Sequence, residues 1–235
     1  MAQKISNVLI TGANRGIGLG FIKEYLNRGW NVFACSRTIS DEMKSLENGH
    51  ASLHCIPMDV VDPKSVEAAF KLIQRQTSSL DILINNAGRM GNLYSSLQDD
   101  FDVEDATLTL KTNTLGPLWV TKYALPLLKQ AQSSKVIQIT SGLGSIADNQ
   151  NADYYIYRIS KAGLNMLNKN LSIDLKPLGV TCVAICPGWV QTEMGGAEAP
   201  LSVEKSVESM VQTIERLTME HTGSYIERFG EIYPY

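Results

Sequence analysis

Short runs of apolar and β-branched residues alternate along this chain with longer segments in which apolar positions recur every three or four residues. The runs suit strands and the longer segments suit helices, because side chains repeat every two residues on a strand and about every 3.6 on a helix. Seven runs qualify as strands: Asn7 to Thr11, Trp30 to Ser36, Ser52 to Met58, Asp81 to Asn85, Lys135 to Thr140, Val180 to Cys186 and a weaker one near Ser224 to Arg228. Helical periodicity covers Ile17 to Asn27, Pro63 to Arg75, Val103 to Gln130, Tyr154 to Leu175 and Ser202 to Thr218. Asp62 suits the N-cap of the second of these and Pro63 its first turn. Pro117 and Pro126 fall inside the third, where they either kink the helix or mark its late boundary. Alternating strands and helices predict right-handed βαβ crossovers, hence an α/β fold with a doubly wound, seven-stranded parallel sheet and helices on both faces. Neither an internal repeat nor a linker rich in Pro, Gly or Ser interrupts the pattern, so residues 1–235 read as one domain with a short substrate-binding loop around 189–205.

Composition narrows the function classes. At 235 residues, with 44% hydrophobic and 19% charged, the chain can bury a full globular core. A net charge of −3 without clustered Lys and Arg argues against a nucleic-acid partner. No apolar stretch approaches the length of a membrane span, and Met1-Ala2-Gln3-Lys4-Ile5 lacks a hydrophobic signal core, so a cytoplasmic location is the expectation. Cys35, Cys55, Cys182 and Cys186 show no Cys-x-x-Cys spacing; buried free thiols are expected rather than a metal site, with Cys182 and Cys186 on one strand face. His50, His54 and His221 are scattered in polar surroundings and carry no predicted catalytic role.

The first strand runs into Thr11-Gly12-Ala13-Asn14-Arg15-Gly16-Ile17-Gly18, three glycines at a strand-to-helix turn. Gly12 can take the positive φ of a tight turn, Gly16 lets backbone approach a pyrophosphate, and Gly18 lets the helix pack closely on the sheet; the helix N-terminus then faces the phosphates. The spacing is Gly-x3-Gly-x-Gly rather than the general Gly-x-Gly-x-x-Gly, but the mechanism is that of a dinucleotide-binding Rossmann fold. Where the general fingerprint has an acid for the ribose hydroxyls, this chain has Ser36-Arg37. Arg37, with Arg15 in the turn, can pair with a 2′-phosphate, which favours NADP(H) over NAD. Asp59 ends the third strand, where it either contacts adenine or caps the next helix, and Asn85-Asn86-Ala87-Gly88 ends the fourth. Tyr157 and Lys161, four residues apart, share a helix face. A cation there favours the phenolate and lowers the tyrosine pKa from about 10, giving a general acid or base.

Together these pieces resemble the short-chain dehydrogenase/reductase family over essentially the whole chain. The matching segments are Thr11 to Gly18, Asn85 to Gly88, Lys111-Thr112-Asn113, Ser141, Tyr157, Lys161 and Pro187-Gly188-Trp189-Val190-Gln191-Thr192. The resemblance implies Asn113, Ser141, Tyr157 and Lys161 as catalytic residues, with Asn113 holding a water that links Lys161 to solvent. It implies cofactor contacts from Gly12, Asn14, Arg15, Gly16, Ile17, Gly18, Ser36, Arg37, Asp59, Val60, Asn86, Ala87, Gly88, Tyr157, Lys161, Pro187, Gly188, Val190 and Thr192. Asp148 to Asp153 lengthens the usual connection between the serine and the tyrosine, which makes Ser145 a competitor; Ser141, directly after its strand, is preferred.

Met194-Gly195-Gly196, Ala199-Pro200-Leu201 and the short C-terminus are similar to the sniffer-like and C-factor-like carbonyl reductases. That similarity implies NADPH-dependent reduction of a small ketone, aldehyde or quinone, with Tyr157 as proton donor. Leu143, Trp189 and Met194 can line an apolar pocket for this carbonyl substrate, and Gly195 and Gly196 suggest a mobile lid over 191–201. Self-association as a homodimer or homotetramer through Val103 to Gln130 and Tyr154 to Leu175 follows by analogy. The alternatives are a catalytically silent NADP-binding sensor or interaction protein, and a nucleotide-sugar epimerase, for which the segment after Gly188 is short.

Overall fold

A computed structural model describes residues 5–235; the reading of Met1 to Lys4 as lacking a signal core lies outside the described residues. Seven strands form one sheet: β1 (Asn7–Thr11), β2 (Asn31–Ser36), β3 (Leu53–Pro57), β4 (Ile82–Asn85), β5 (Lys135–Ile139), β6 (Thr181–Cys186) and β7 (Tyr225–Glu227). All pair in parallel in the order β3-β2-β1-β4-β5-β6-β7. The chain builds one side of the sheet from β1 through β3 and then returns to start β4 beside β1. The crevice at this reversal, beyond the carboxyl ends of β1 and β4, is where open α/β sheets bind ligands.

Among the described residues, seven α-helices flank the sheet: α1 (Gly16–Asn27), α2 (Asp41–Gly49), α3 (Pro63–Ile73), α4 (Val103–Leu110), α5 (Gly116–Leu128), α6 (Tyr155–Leu175) and α7 (Val203–Arg216). Strand residues alternate between two cores. Val8 and Ile10 join Phe21 and Ile22 of α1 and Met210 and Ile214 of α7, whereas Leu9 joins Phe70 of α3, Val120 of α5 and Leu171 of α6. Both faces are therefore buried, which is why the central strands read as continuous apolar runs. The cysteines are unpaired; Cys35, Cys182 and Cys186 are buried and Cys55 is half-buried.

Two elements differ from the sequence reading. Helix α2 was not expected, because Asp41 to Gly49 buries only Met43; its start is fixed by Ser40, whose side chain accepts from the Met43 N–H. The continuous helix expected over Val103 to Gln130 is interrupted by a π-turn at Lys111–Leu115. Thr109 and Thr112 hydroxyls bond back to the Asp105 and Leu108 carbonyls, and Pro117 in the first turn of α5 has no N–H for the preceding turn. The wider turn absorbs both. Pro126 stays inside α5, in its last turn. Asp62 caps α3 as expected, accepting from the Lys64 N–H at 2.9 Å.

Candidate active site

The glycine turn closes against the end of β4. Thr11 Oγ1 accepts the N–H groups of Asn86 and Ala87 at 3.0 and 3.1 Å, and Asn86 Nδ2 donates to the Thr11 and Gly12 carbonyls at 2.9 and 3.1 Å. Gly12 has φ +63°, and a Cβ there would lie 2.7 Å from Ala87 Cα; one at Gly18 would lie 2.2 Å from the Gly12 carbonyl oxygen. Arg15, the N-cap of α1, makes no capping bond from its side chain, so the first N–H groups of the helix remain available for an anion. Asn14, Gly16 and Ile17 line this turn half-buried. These residues suit a dinucleotide pyrophosphate.

At the end of β2, Ser36 is buried and its hydroxyl donates to the Thr38 carbonyl at 2.8 Å, while Arg37 is exposed and pairs with no acid among the described residues. Arg15 instead forms an ion pair with Glu193 on the loop beyond β6, across the crevice. Asp59 does not cap α3; its Oδ1 accepts the Val61 N–H at 3.1 Å, and Val60 packs beneath Gly116. On the opposite lip, Val190 pairs with Leu201, Thr192 lies 3.3 Å from where a Gly16 Cβ would stand, and Pro187 accepts from the Ser206 hydroxyl at 2.8 Å. Gly188, at φ +84°, is packed against Arg228 and Leu201. Gly88 links the crevice to the groups that follow: a Cβ there would lie 3.4 Å from Asn113 Oδ1 and 3.6 Å from Lys161 Nζ.

Four further residues converge at that point. Ser141 follows β5, Tyr157 and Lys161 stand in the first two turns of α6, and Asn113 sits in the π-turn. Lys161 is buried, with Nζ donating to the Ile139 carbonyl at 2.9 Å and lying 5.7 Å from the centre of the Tyr157 ring. Burial pushes the Tyr157 phenol up to about 12, against a lowering pull from the Ser141 hydroxyl beside it, and pushes Lys161 down to about 8. This corrects the expectation that the ammonium would bring the phenol toward neutrality: desolvation is the largest influence on the phenol and raises it, and Lys161 Nζ is turned to a backbone carbonyl. Ser145 is not the serine beside Tyr157; its hydroxyl accepts from the Asp148 N–H at 3.0 Å.

Asn113 is fully buried. Its Oδ1 accepts the Arg89 N–H at 2.8 Å, and Nδ2 donates to the Arg89 carbonyl at 2.8 Å and to Ser160 Oγ at 2.9 Å. Both amide hydrogens are thereby used, which leaves only acceptor capacity for a water. Ser160, absent from the sequence reading, passes the chain on by donating to the Tyr157 carbonyl at 2.7 Å. Its position three residues after Tyr157, on the buried side of α6, was the available signal. Tyr154, immediately before α6, takes a left-handed φ of +51°. Asp153 pairs with Arg158 and ties the preceding loop to the helix. Over this end of the sheet, Trp189 and Met194 leave apolar surface exposed, with Trp189 Nε1 donating to the Gly195 carbonyl at 2.7 Å. A neutral phenol, a serine hydroxyl and a titratable amine beside a dinucleotide crevice can together pass a proton to an oxygen held at Ser141.

The family sequence model described as short chain dehydrogenase matches residues 6–200. C-signal of Myxococcus xanthus is 43% identical over 159 residues, covering 68% of this chain and 95% of that protein. An uncharacterised oxidoreductase of Schizosaccharomyces pombe is 30% identical over 255 residues, covering 100% of both. Among solved structures, carbonyl reductase Sniffer of D. melanogaster superposes with a TM-score of 0.92 at 33% identity, over 99% of this chain and 100% of that one. An NADPH-bound carbonyl reductase from chicken fatty liver gives 0.89 at 34% identity, over 99% and 100%.

Proposed function

The chain belongs to the short-chain dehydrogenase family, and from that premise we propose that it is an NADPH-dependent reductase of small ketones, aldehydes or quinones. The observation that carries this reading is the meeting of Ser141, Tyr157 and Lys161 at the end of the Gly12 to Gly18 crevice, with Gly88 beside Lys161. The uncapped N-terminus of α1 and the glycine cradle would hold the pyrophosphate, and Arg37 the 2′-phosphate. Bound NADPH supplies the hydride that reaches the carbonyl carbon. The Ser141 hydroxyl holds and polarises the carbonyl oxygen, and Tyr157, neutral across the physiological range, gives that oxygen its proton as negative charge develops. Lys161, titrating near 8, is the neighbouring group able to exchange a proton with solvent at neutral pH. Asn113, through Ser160, fixes the backbone of Tyr157. Trp189, Met194 and Leu143 favour an apolar substrate body, with the segment 191–201 as its lid.

The test compares NADPH with NADH oxidation across isatin, quinones and acetoacetyl esters. Turnover with NADPH, lost by a hundredfold or more (~10²–10⁴) in Tyr157→Phe with NADPH affinity kept, supports the reading. Tight NADPH binding without oxidation of any panel member would instead favour the sensor or interaction protein. We also propose a homodimer, because Ile159, Met166 and Ile173 form an exposed apolar stripe at seven-residue spacing along α6, and Leu108 and Leu115 of the preceding helical segment are exposed as well. No described helix is long and apolar enough to cross a membrane, and the NADPH-supplied cytosol is the compartment this chemistry favours.

A further inference from the structure

We propose that Tyr225, on the last strand, is a positioning residue that holds Ser141 against Tyr157, assisted by Tyr233 at the C-terminal end. The inference rests on the carbonyl-reduction reading above. Tyr225 pairs with Ala184 of β6, and its hydroxyl reaches past that strand to donate to the Ser141 carbonyl at 2.6 Å. The same carbonyl accepts the Gly144 N–H at 2.9 Å, so both of its lone pairs are engaged. Ser141 itself is extended, with φ −161° and ψ 150°, and fixing its carbonyl fixes the peptide plane that aims its Cβ and hydroxyl.

The residues around this bond clamp the same segment. Gly142 N–H donates to Cys186 Sγ at 3.1 Å. A Cβ at Gly142 would lie 2.8 Å from the Tyr233 hydroxyl, which donates to Asp148 Oδ2 at 3.1 Å. The Tyr235 carbonyl accepts the Ala147 N–H at 2.9 Å. Tyr225 is buried with the rings of Tyr233 and Tyr235 4.9 and 5.5 Å away, which packs its ring in place behind the bond to Ser141. Residues 141–148, which the polar stretch 148–153 connects to α6, are thus held from the far edge of the sheet as well as by their own turn, in which the Leu143 N–H donates to Ser141 Oγ at 3.2 Å. A serine that must keep a substrate oxygen within hydrogen-bond reach of Tyr157 needs that support, since a misplacement of about 1 Å costs on the order of a hundredfold in rate.

Tyr225→Phe removes one oxygen and keeps the ring packing. Its kcat for an active carbonyl of the panel is expected to fall about tenfold, the loss of one oriented hydrogen bond, with the NADPH dissociation constant and melting temperature near wild type. In a Ser141→Ala background the same substitution should cost nothing further, because the residue it positions is gone. An unchanged kcat in Tyr225→Phe, an additive loss in the double variant, or a variant that loses its fold or its NADPH affinity would each overturn the inference. A wild-type rate in Ser141→Ala alone would overturn the carbonyl-reduction reading instead, so the two failures are told apart.

Discussion

Lys161 Nζ lies 5.7 Å from the centre of the Tyr157 ring while donating to the Ile139 carbonyl, so the amine shares the phenol's buried surroundings without bonding to it. Burial separates their titrations, Tyr157 to about 12 and Lys161 to about 8. Tyr157 therefore holds its proton throughout the working range, and Lys161 is the group that changes charge within it. Carbonyl reduction consumes a proton, so the charged form of Lys161 is the productive one. The kcat/KM for NADPH, which reports the free enzyme, is expected to be level below pH 7 and to fall as pH rises through about 8. Lys161→Arg should carry this limb to higher pH in whatever activity remains. A profile flat from pH 6 to 10 in the wild-type protein counts against assigning the proton exchange to Lys161.

Arg37 supplies the second prediction. It stands exposed at the end of β2 with no acidic partner among the described residues, whereas Arg15 is committed to Glu193. The discrimination between NADPH and NADH should therefore rest mainly on Arg37. Arg37→Glu removes a charge-assisted contact and adds repulsion of the 2′-phosphate, so the KM for NADPH should rise about tenfold to a hundredfold. The KM for NADH should fall, because a carboxylate there can accept from ribose hydroxyls. Steady-state kinetics with both cofactors decides it, and an unchanged ratio would move the discrimination elsewhere.

What the chain disclosed before its structure was known depended on the kind of signal involved. The sheet was legible because strands buried on both faces appear as unbroken apolar runs, as in Val8-Leu9-Ile10. The glycine turn was legible because Gly12 and Gly18 stand where any side chain would collide with backbone. Helix α2 was hidden because one buried methionine makes no periodicity, and the π-turn because its causes are threonine back-bonds and a missing proline N–H. Spacing placed Lys161 beside Tyr157 but misjudged the electrostatics, since the sign of the phenol's shift depends on burial. The contact from Tyr225 to Ser141 spans 84 residues and joins β7 to the turn after β5, which is not its neighbour in the sheet, so no local pattern announces it.

Ser160 carries the third prediction. It accepts from buried Asn113 Nδ2 and donates to the Tyr157 carbonyl, so Ser160→Ala leaves an amide hydrogen of Asn113 buried without a partner. That cost is about 1–3 kcal/mol, several degrees of melting temperature for a domain of this size. Ser172 is the control: it makes the same backbone bond, to the Lys169 carbonyl at 2.7 Å, but receives no buried amide. Ser172→Ala should lower stability by no more than about 1 kcal/mol. Ser160→Ala should also lower kcat, and the control should not. Equal losses of stability in the two variants would mean that the Asn113 amide has found another acceptor.

The outer face of α6 carries the last. Ile159, Met166 and Ile173 recur every seven residues and stay exposed, while Leu164 and Leu171 of the same helix are buried in the core. The helix is thus apolar on two sides, and a second copy related by a two-fold axis would cover the outer stripe with the same stripe of its own. Met166 stands at the middle of the stripe and would lie closest to that axis, where each substitution is encountered twice. Met166→Glu places two carboxylates together in what would be the driest part of the contact, a repulsion that one apolar stripe cannot offset. Light scattering after gel filtration should give twice the chain mass for the wild-type protein and the single-chain mass for Met166→Glu, with the far-ultraviolet spectrum unchanged. A wild-type protein that elutes as a monomer removes the proposed dimer.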